Sequence, residues 1–158
     1  MSADGRLSKG DAAPTFALPD QHENIVELSS FQGREVLVFF YPKANTPGCT
    51  TQACGLRDVV DDVGDTAILG ISPDKPSAQL KFDEKHTLGF PLLSDPDHEV
   101  AEAFGVWGEK KMYGKSYMGI IRSAFLIDRD GRVSEPWYKI SPKDTPKKLL
   151  TALRRADS

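Results

Sequence analysis

Two hydrophobic patterns alternate along this chain: short continuous apolar runs, and longer stretches with an apolar residue at every third or fourth position. Residues 36–41 form a continuous run of β-branched, aliphatic and aromatic side chains, which is typical of a central strand buried on both faces. Pro42 ends this run. Residues 66–71 have the same character and predict a second buried strand.

Helical spacing predicts four helices, and three of the predictions carry a start signal. Pro47 and Pro76 are suited to first helical turns, and Asp95 or Asp97 to a cap position. The last segment is amphipathic. The predicted helices cover residues 47–63, 76–86, 97–104 and 145–155.

The remaining segments predict short strands and connections. Alternating apolar positions at 16–18 and 26–28 predict an N-terminal hairpin, preceded by a loose arm up to Lys9. The stretch from Gly105 to Gly119 contains several glycines and lysines and is interpreted as a long loop. A further short strand is predicted at 90–93, and two paired strands at 120–127 and 133–138, joined by a turn at 128–131.

Strands that alternate with helices and then close with a hairpin and a helix indicate an α/β layered architecture, with a single domain over residues 1–158. Hydrophobic residues are 39% and charged residues 27% of the chain, and the formal net charge is −3. This balance is ordinary for a globular protein and argues against a nucleic-acid-binding protein, which would carry a basic face.

The distribution of apolar residues also bears on location. No apolar stretch approaches the roughly 18 residues that span a bilayer, so no membrane association is expected. The first residues are polar and lack the apolar core of a secretory signal. We therefore expect a cytoplasmic protein, in a compartment where thiols are kept reduced.

The chain has two cysteines, Cys49 and Cys54. In a reducing compartment such a pair is more often catalytic or metal-binding than structural. The three histidines are scattered without ligand-like spacing, which disfavours a zinc site. With Thr46 as helix cap and Pro47 as first residue, Cys49 is third in its helix, where free N–H groups and the helix dipole favour a thiolate.

The helix that carries both cysteines has one apolar stripe, so Cys49 is expected to face the core. At about 100° per residue, Cys54 lies about 140° around the helix, with Cα atoms roughly 8.7 Å apart. A disulfide does not easily bridge more than about 7 Å, so this part of the helix must unwind if the pair forms one. From these residues alone, a reactive pair and two inert buried thiols both remain open. The stripe consists of Cys49, Ala53, Leu56, Val60 and Val63.

The spacing Pro42, three residues, Thr46, two residues, Cys49 resembles the peroxiredoxin signature. Five other segments resemble the bacterioferritin comigratory protein, or peroxiredoxin Q, branch of that family, and with the signature they extend over most of the chain. They are TTQACGLRD (50–58), GISPDKP (70–76), LLSD (92–95), GVWGEK (105–110) and IRSAFLID (121–128).

This resemblance implies a thioredoxin-like fold, with a central mixed sheet flanked by helices and an N-terminal β-hairpin extension, and a thiol peroxidase activity. Cys49 would be the peroxidatic residue and Cys54 the resolving one. Thr46 would hydrogen-bond the thiolate and peroxide, Arg122 would hold the thiolate and polarise the peroxide from a neighbouring strand, and Pro42 would shield the pocket. Without the family pattern, the last three are interpreted more simply as a cap, a surface residue and a strand stop.

The implied cycle uses a hydroperoxide substrate, a thioredoxin-like dithiol reductant and no metal or organic cofactor, and the resemblance suggests a monomer. Because Cys49 faces inward, we expect a narrow pocket and small hydroperoxides as substrates. The aromatic residues of the 105–119 loop could line the entrance of this pocket, but ordinary packing is the favoured interpretation. Two other functions remain open: a general disulfide reductase or isomerase, and a binding module with two buried thiols.

Overall fold

A computed structural model describes residues 6–156 of the chain, except for the side chains of Met112, Arg155 and Ala156. Among these residues no helix has the length and apolar character needed to cross a bilayer. The strands are β1 Ala17–Pro19, β2 Ile25–Glu27, β3 Val36–Phe40, β4 Ala67–Ser72, β5 Leu92–Ser94, β6 Trp107–Met112, β7 Lys115–Ile120, β8 Ser123–Ile127 and β9 Val133–Trp137. The α-helices are α1 Pro47–Asp58, α2 Pro76–His86, α3 Glu99–Ala103 and α4 Asp144–Ala156.

A five-stranded sheet of order β5-β4-β3-β8-β9 forms the centre of the fold. The strands β3, β4 and β5 are parallel neighbours, whereas β8 is antiparallel to both of its neighbours, β3 and β9, so the sheet is mixed as predicted. All five residues of β3 are buried, because helices and loops cover both faces of a strand in this position. The predicted N-terminal hairpin is confirmed as the antiparallel pair β1–β2.

The two faces of this sheet pack against separate apolar clusters. One cluster combines Val38 and Phe40 with α3 and with Phe125. The other combines Leu37 and Phe39 with residues of α1, α2 and α4. Neighbouring side chains along β3 point to opposite faces of the sheet. The helix that carries the cysteines packs on the face of Leu37 and Phe39.

The predicted loop from Gly105 to Gly119 is wrong, because this segment is the antiparallel hairpin β6–β7. Most of β7 is exposed, so no buried face marks it as a strand in the sequence. Trp107 packs as expected, with its ring stacked on His98 at 3.7 Å. The expected packing is wrong for Tyr113, which lies at the turn and is 97% exposed, and for Tyr117, which is 42% exposed.

The cysteine-bearing helix ends earlier than predicted. The α-helix stops at Asp58 and continues as a short 3-10 turn at Val60–Asp62. This change of helical type rotates Val60 out of the apolar stripe, and its side chain is 39% exposed, whereas Leu56 and Val63 are buried as predicted.

Three smaller predictions also change. The loose arm up to Lys9 is wrong for Leu7, which is buried and donates its N–H to the Tyr138 hydroxyl; residues 1–5 lie outside the described residues. The predicted strand at 120–127 is interrupted at residues 121–122. Of the two candidate caps of α3, Asp95 accepts from the N–H groups of Val100 and Ala101.

Candidate active site

Cys49 is buried at the start of α1, as the sequence predicts. The helix has Thr46 as its N-cap residue and Pro47 at its first position, so Cys49 is third. Cys49 is 1% exposed and belongs to the apolar cluster that contains Leu37 and Phe39. The sulfur therefore meets the core on one side and the open end of a helix on the other.

The hydroxyl of Thr46 does not cap the helix. It donates to the carbonyl of Lys43 at 2.8 Å, and no side-chain cap bond is formed. Pro47 has no N–H, and the N–H of Thr50 is donated to Thr46 O. The helix itself provides no acceptor for the N–H groups of Gly48 and Cys49, so these remain for an anion at the helix start.

Arg122 lies beside this sulfur, with Nη2 3.4 Å from Cys49 Sγ. It stands in the two-residue link between β7 and β8, not within a strand as predicted. Strand β8 pairs with β3 so that Ser123 lies opposite Phe40, which brings the preceding residue to the end of β3, close to the start of α1. Topology thus joins two residues 73 positions apart.

Gln52 is a site residue that the sequence reasoning missed. It is fully buried, accepts from Arg122 Nη1 at 2.8 Å and donates to the Thr145 hydroxyl at 3.0 Å. Thr145 in turn donates to Ser141 O, so its oxygen can only accept from the Gln52 amide. This directional chain points Gln52 Oε1 at the guanidinium and fixes its position.

Lys110 is a second cation near the site that the sequence did not identify. Its Nζ donates to Ile120 O at 2.8 Å, on the partner strand of its hairpin. Partial burial lowers the pKa of Lys110, and the nearby positive charge of Arg122 lowers it further, while Cys49 acts in the opposite direction. Because the sequence of this hairpin predicts a loop, nothing in the sequence places this lysine beside Arg122.

Cys54 is partly buried against the same apolar cluster as Cys49, and both cysteines are free thiols. The two lie in one continuous helix, so the helical separation estimated from the sequence applies. The final candidate, Pro42, is separated from the end of β3 by Tyr41 and is half-buried; its shielding role stays a prediction.

Two recesses open near the helix start. A mainly apolar recess of about 300 Å³ is bounded by Pro47, Gly48 and Pro142. A larger one of about 600 Å³ is lined by Arg122 and by residues of the β6–β7 hairpin, among them Lys110. The middle of the hairpin, and not its aromatic residues, therefore contributes to a recess at the site.

Gly48 separates the guanidinium from this apolar recess. A Cβ at Gly48 would lie 3.0 Å from Arg122 Nη2 and 3.6 Å from Pro142 Cγ. We expect Gly48→Ala to push the guanidinium away from Cys49 Sγ and to slow iodoacetamide alkylation of Cys49 severalfold. Peptide mass spectrometry reports the rates at both cysteines. Gly55→Ala, in the same helix, is the control, because a Cβ there would approach Pro146 Cγ at 3.1 Å and would not touch Arg122. An unchanged rate at Cys49 would show that the site accommodates the methyl group.

Comparison with known proteins gives a consistent result. Residues 9–135 match the AhpC/TSA family. The chain is 58% identical to peroxiredoxin Bcp of Escherichia coli over 129 residues. This alignment covers 80% of this chain and 83% of that protein.

Solved structures show the same similarity. A PrxQ mutant of Xylella fastidiosa superposes with a TM-score of 0.90 at 28% identity, over 97% of this chain and 99% of that one. The bacterioferritin comigratory protein of Xanthomonas campestris, described for alkyl peroxide reduction, superposes with a TM-score of 0.84 at 33% identity, over 90% and 92%. The predicted thioredoxin-like peroxiredoxin fold is thereby confirmed.

Proposed function

Because the chain belongs to the AhpC/TSA family and is a peroxiredoxin of the Bcp and PrxQ type, we propose that Cys49 is its peroxidatic thiol and Cys54 its resolving thiol. The protein is a peroxidase that reduces a peroxide at the expense of a thiol reductant. One observation carries the residue assignment: Arg122 Nη2 lies 3.4 Å from the buried Cys49 sulfur, at an open helix start.

In the first step, the Cys49 thiolate attacks one oxygen of the hydroperoxide. An S–O bond forms, the O–O bond breaks, and the leaving alkoxide or hydroxide is protonated to an alcohol or water. The Arg122 guanidinium and the N–H groups of Gly48 and Cys49 stabilise the charge that spreads over both oxygens. Since the Thr46 hydroxyl donates to Lys43 O, its oxygen is available to accept from the hydroperoxide O–H.

In the second step, Cys54 condenses with the Cys49 sulfenic acid, and one water is released as the disulfide forms. The intact helix separates the two Cα atoms by roughly 8.7 Å, beyond the reach of a disulfide. The turns of α1 between them therefore unwind in each cycle. The disulfide lies within one chain, which is consistent with a monomer.

In the third step, a dithiol of the thioredoxin type returns both cysteines to thiols by exchange. The cytoplasm predicted from the sequence is a compartment in which such dithiols are kept reduced. The electrons pass from the dithiol through the two sulfurs to the peroxide, so the cycle needs no organic cofactor.

The test is stopped-flow turnover with hydrogen peroxide and with an alkyl hydroperoxide, with thioredoxin as reductant. We expect saturable peroxide consumption that depends on Cys49. Reduction of insulin disulfides faster than peroxide turnover would favour a disulfide reductase instead. Slow and equal alkylation of both cysteines at neutral pH would favour a binding module without catalysis.

Replacing Arg122 tests the charge beside the sulfur. A hydrogen bond to a charged group contributes about 1.5–3 kcal/mol, so we expect Arg122→Gln to slow the peroxide step by roughly 10- to 100-fold. Arg122→Lys keeps the charge but loses the fork that also holds Gln52, and an intermediate loss is expected. Single-turnover stopped flow measures both. A glutamine variant with the wild-type rate would contradict this role.

A further inference from the structure

A series of buried and partly buried hydrogen bonds that does not involve Arg122 reaches the turn before α1. The Tyr41 hydroxyl donates to Gln79 Oε1, and Gln79 Nε2 donates to Ser72 Oγ at 2.8 Å. The Ser72 hydroxyl donates to Asp74 Oδ2 at 2.7 Å, and the same oxygen accepts the N–H of Ala44 at 2.7 Å. This series of hydrogen bonds thus ends on the backbone of the turn that leads into the Cys49 helix.

The direction of each hydrogen bond in this series is fixed. Burial raises the pKa of Tyr41 far above its usual range, so its hydroxyl keeps its proton and donates. Gln79 then accepts with Oε1 and donates with Nε2, which also reaches Leu93 O at 3.0 Å. Tyr41, Gln79 and Ser72 are each no more than 1% exposed, so water does not compete for these bonds.

Asp74 stands where a helix cap would be expected, close before α2. The N-cap residue is Lys75, however, and it forms no side-chain cap bond. Instead, the Asp74 carboxylate accepts a hydrogen bond from the Ala44 N–H, which joins the loop before α2 to the loop before α1. Its role is therefore to hold the neighbouring turn, which connects β3 to α1.

Contacts from outside this turn hold it in place. Asn45 has a φ of 67°, a left-handed conformation that asparagine tolerates better than most non-glycine residues. Ala44 is buried in the apolar cluster that contains Cys49, and the Asn45 side chain contacts His86 Nε2 at 3.3 Å. The hydrogen bond to the Ala44 N–H fixes the backbone just before this left-handed residue, and so fixes where α1 begins.

We propose that Asp74 is a positioning residue of the peroxidase site, which holds the turn before α1 so that Cys49 stays opposite Arg122. This rests on the proposed function of Cys49. The restraint lies outside the segment between the two cysteines, so it remains in place while α1 unwinds. It positions Cys49 in the folded helix that reacts with peroxide, whereas disulfide formation takes place in the unwound helix and does not depend on that position.

Two substitutions separate the restraint from the charge of Asp74. Both hydrogen bonds end on one oxygen, Oδ2, so the carbonyl oxygen of an asparagine can accept both. We expect Asp74→Ala to slow the reaction of Cys49 with peroxide about tenfold without slowing disulfide formation. Asp74→Asn should stay within about threefold of the wild-type peroxide rate. The pH profile of Cys49 alkylation should shift with Asp74→Ala and return towards wild type with Asp74→Asn.

A matched control distinguishes positioning from general destabilisation. Gln21 is also buried, and its side chain bonds Asp83, Phe90 O and the Leu92 N–H, which joins the β1–β2 hairpin to α2 and β5. Gln21→Ala should lower Tm as Asp74→Ala does, but leave the peroxide rate unchanged. If Asp74→Ala does not fold, Ser72→Ala removes the donor that orients the carboxylate, and a loss of about threefold is expected.

The results separate this proposal from the proposed function. If the wild type fails to reduce peroxide through Cys49, the function itself is wrong. If the wild type is active, the positioning role is overturned by an Asp74→Ala variant with an unchanged peroxide rate. Equal losses in Asp74→Ala and Asp74→Asn, or in Gln21→Ala, would overturn it as well.

Discussion

Cys49→Ser is expected to abolish peroxide turnover, leaving only the rate seen without protein. The serine hydroxyl stays protonated at neutral pH and is a far weaker nucleophile than a thiolate. The change is nearly isosteric, and the contact of Arg122 with Gln52 does not depend on the sulfur. The effect is measured as turnover of hydrogen peroxide in a coupled assay. Thioredoxin and thioredoxin reductase supply the electrons, and the oxidation of NADPH is recorded.

Thr51→Ser serves as the control for this experiment. Thr51 lies on the same helical turn, is exposed, and donates its hydroxyl to Pro47 O at 3.1 Å, a bond that serine retains. We expect wild-type turnover in this variant. Wild-type turnover in a Cys49→Ser protein with an unchanged circular dichroism spectrum would show that Cys49 is not the nucleophile.

Cys54→Ser is expected to consume about one equivalent of peroxide and then stop. Cys49 still reacts, but its sulfenic acid has no partner within the chain. A sulfenic acid that persists can be trapped with dimedone and located on the Cys49 peptide by mass spectrometry. In the wild type the same treatment should yield the intramolecular disulfide and little trapped acid.

The same variant separates the resolving role from a packing role for Cys54. Its side chain is partly buried against the core, so we expect serine to lower the stability slightly and to leave the rate of the first turnover unchanged. Sustained turnover with thioredoxin would remove Cys54 from the cycle. A slow first turnover would instead mean that Cys54 supports the geometry of Cys49.

Local patterns predicted the parts of this protein whose causes are local. The central strand shows its burial as an unbroken apolar run, and the start of α1 is marked by Thr46 and Pro47. The hairpin β6–β7 was missed because most of β7 is exposed, and an exposed strand leaves no apolar alternation in the sequence.

The site residues divide in the same way. Cys49 could be placed from helix signals alone, whereas the link to Arg122 depends on the pairing of β8 with β3. Gln52 stands among the polar residues of its helix and is buried only because Arg122 and Thr145 supply its partners. A single sequence contains no signal for such partners, since they come from distant segments.

The division of the core into two clusters has a consequence for how this protein can vary. The cluster around Phe104 and Phe125 contains none of the described residues between 41 and 63, and those that carry the cysteines pack only on the opposite side of the sheet. One layer is therefore separate from the helix whose unwinding we propose. We expect conservative substitutions in that layer to change Tm more than they change peroxide turnover.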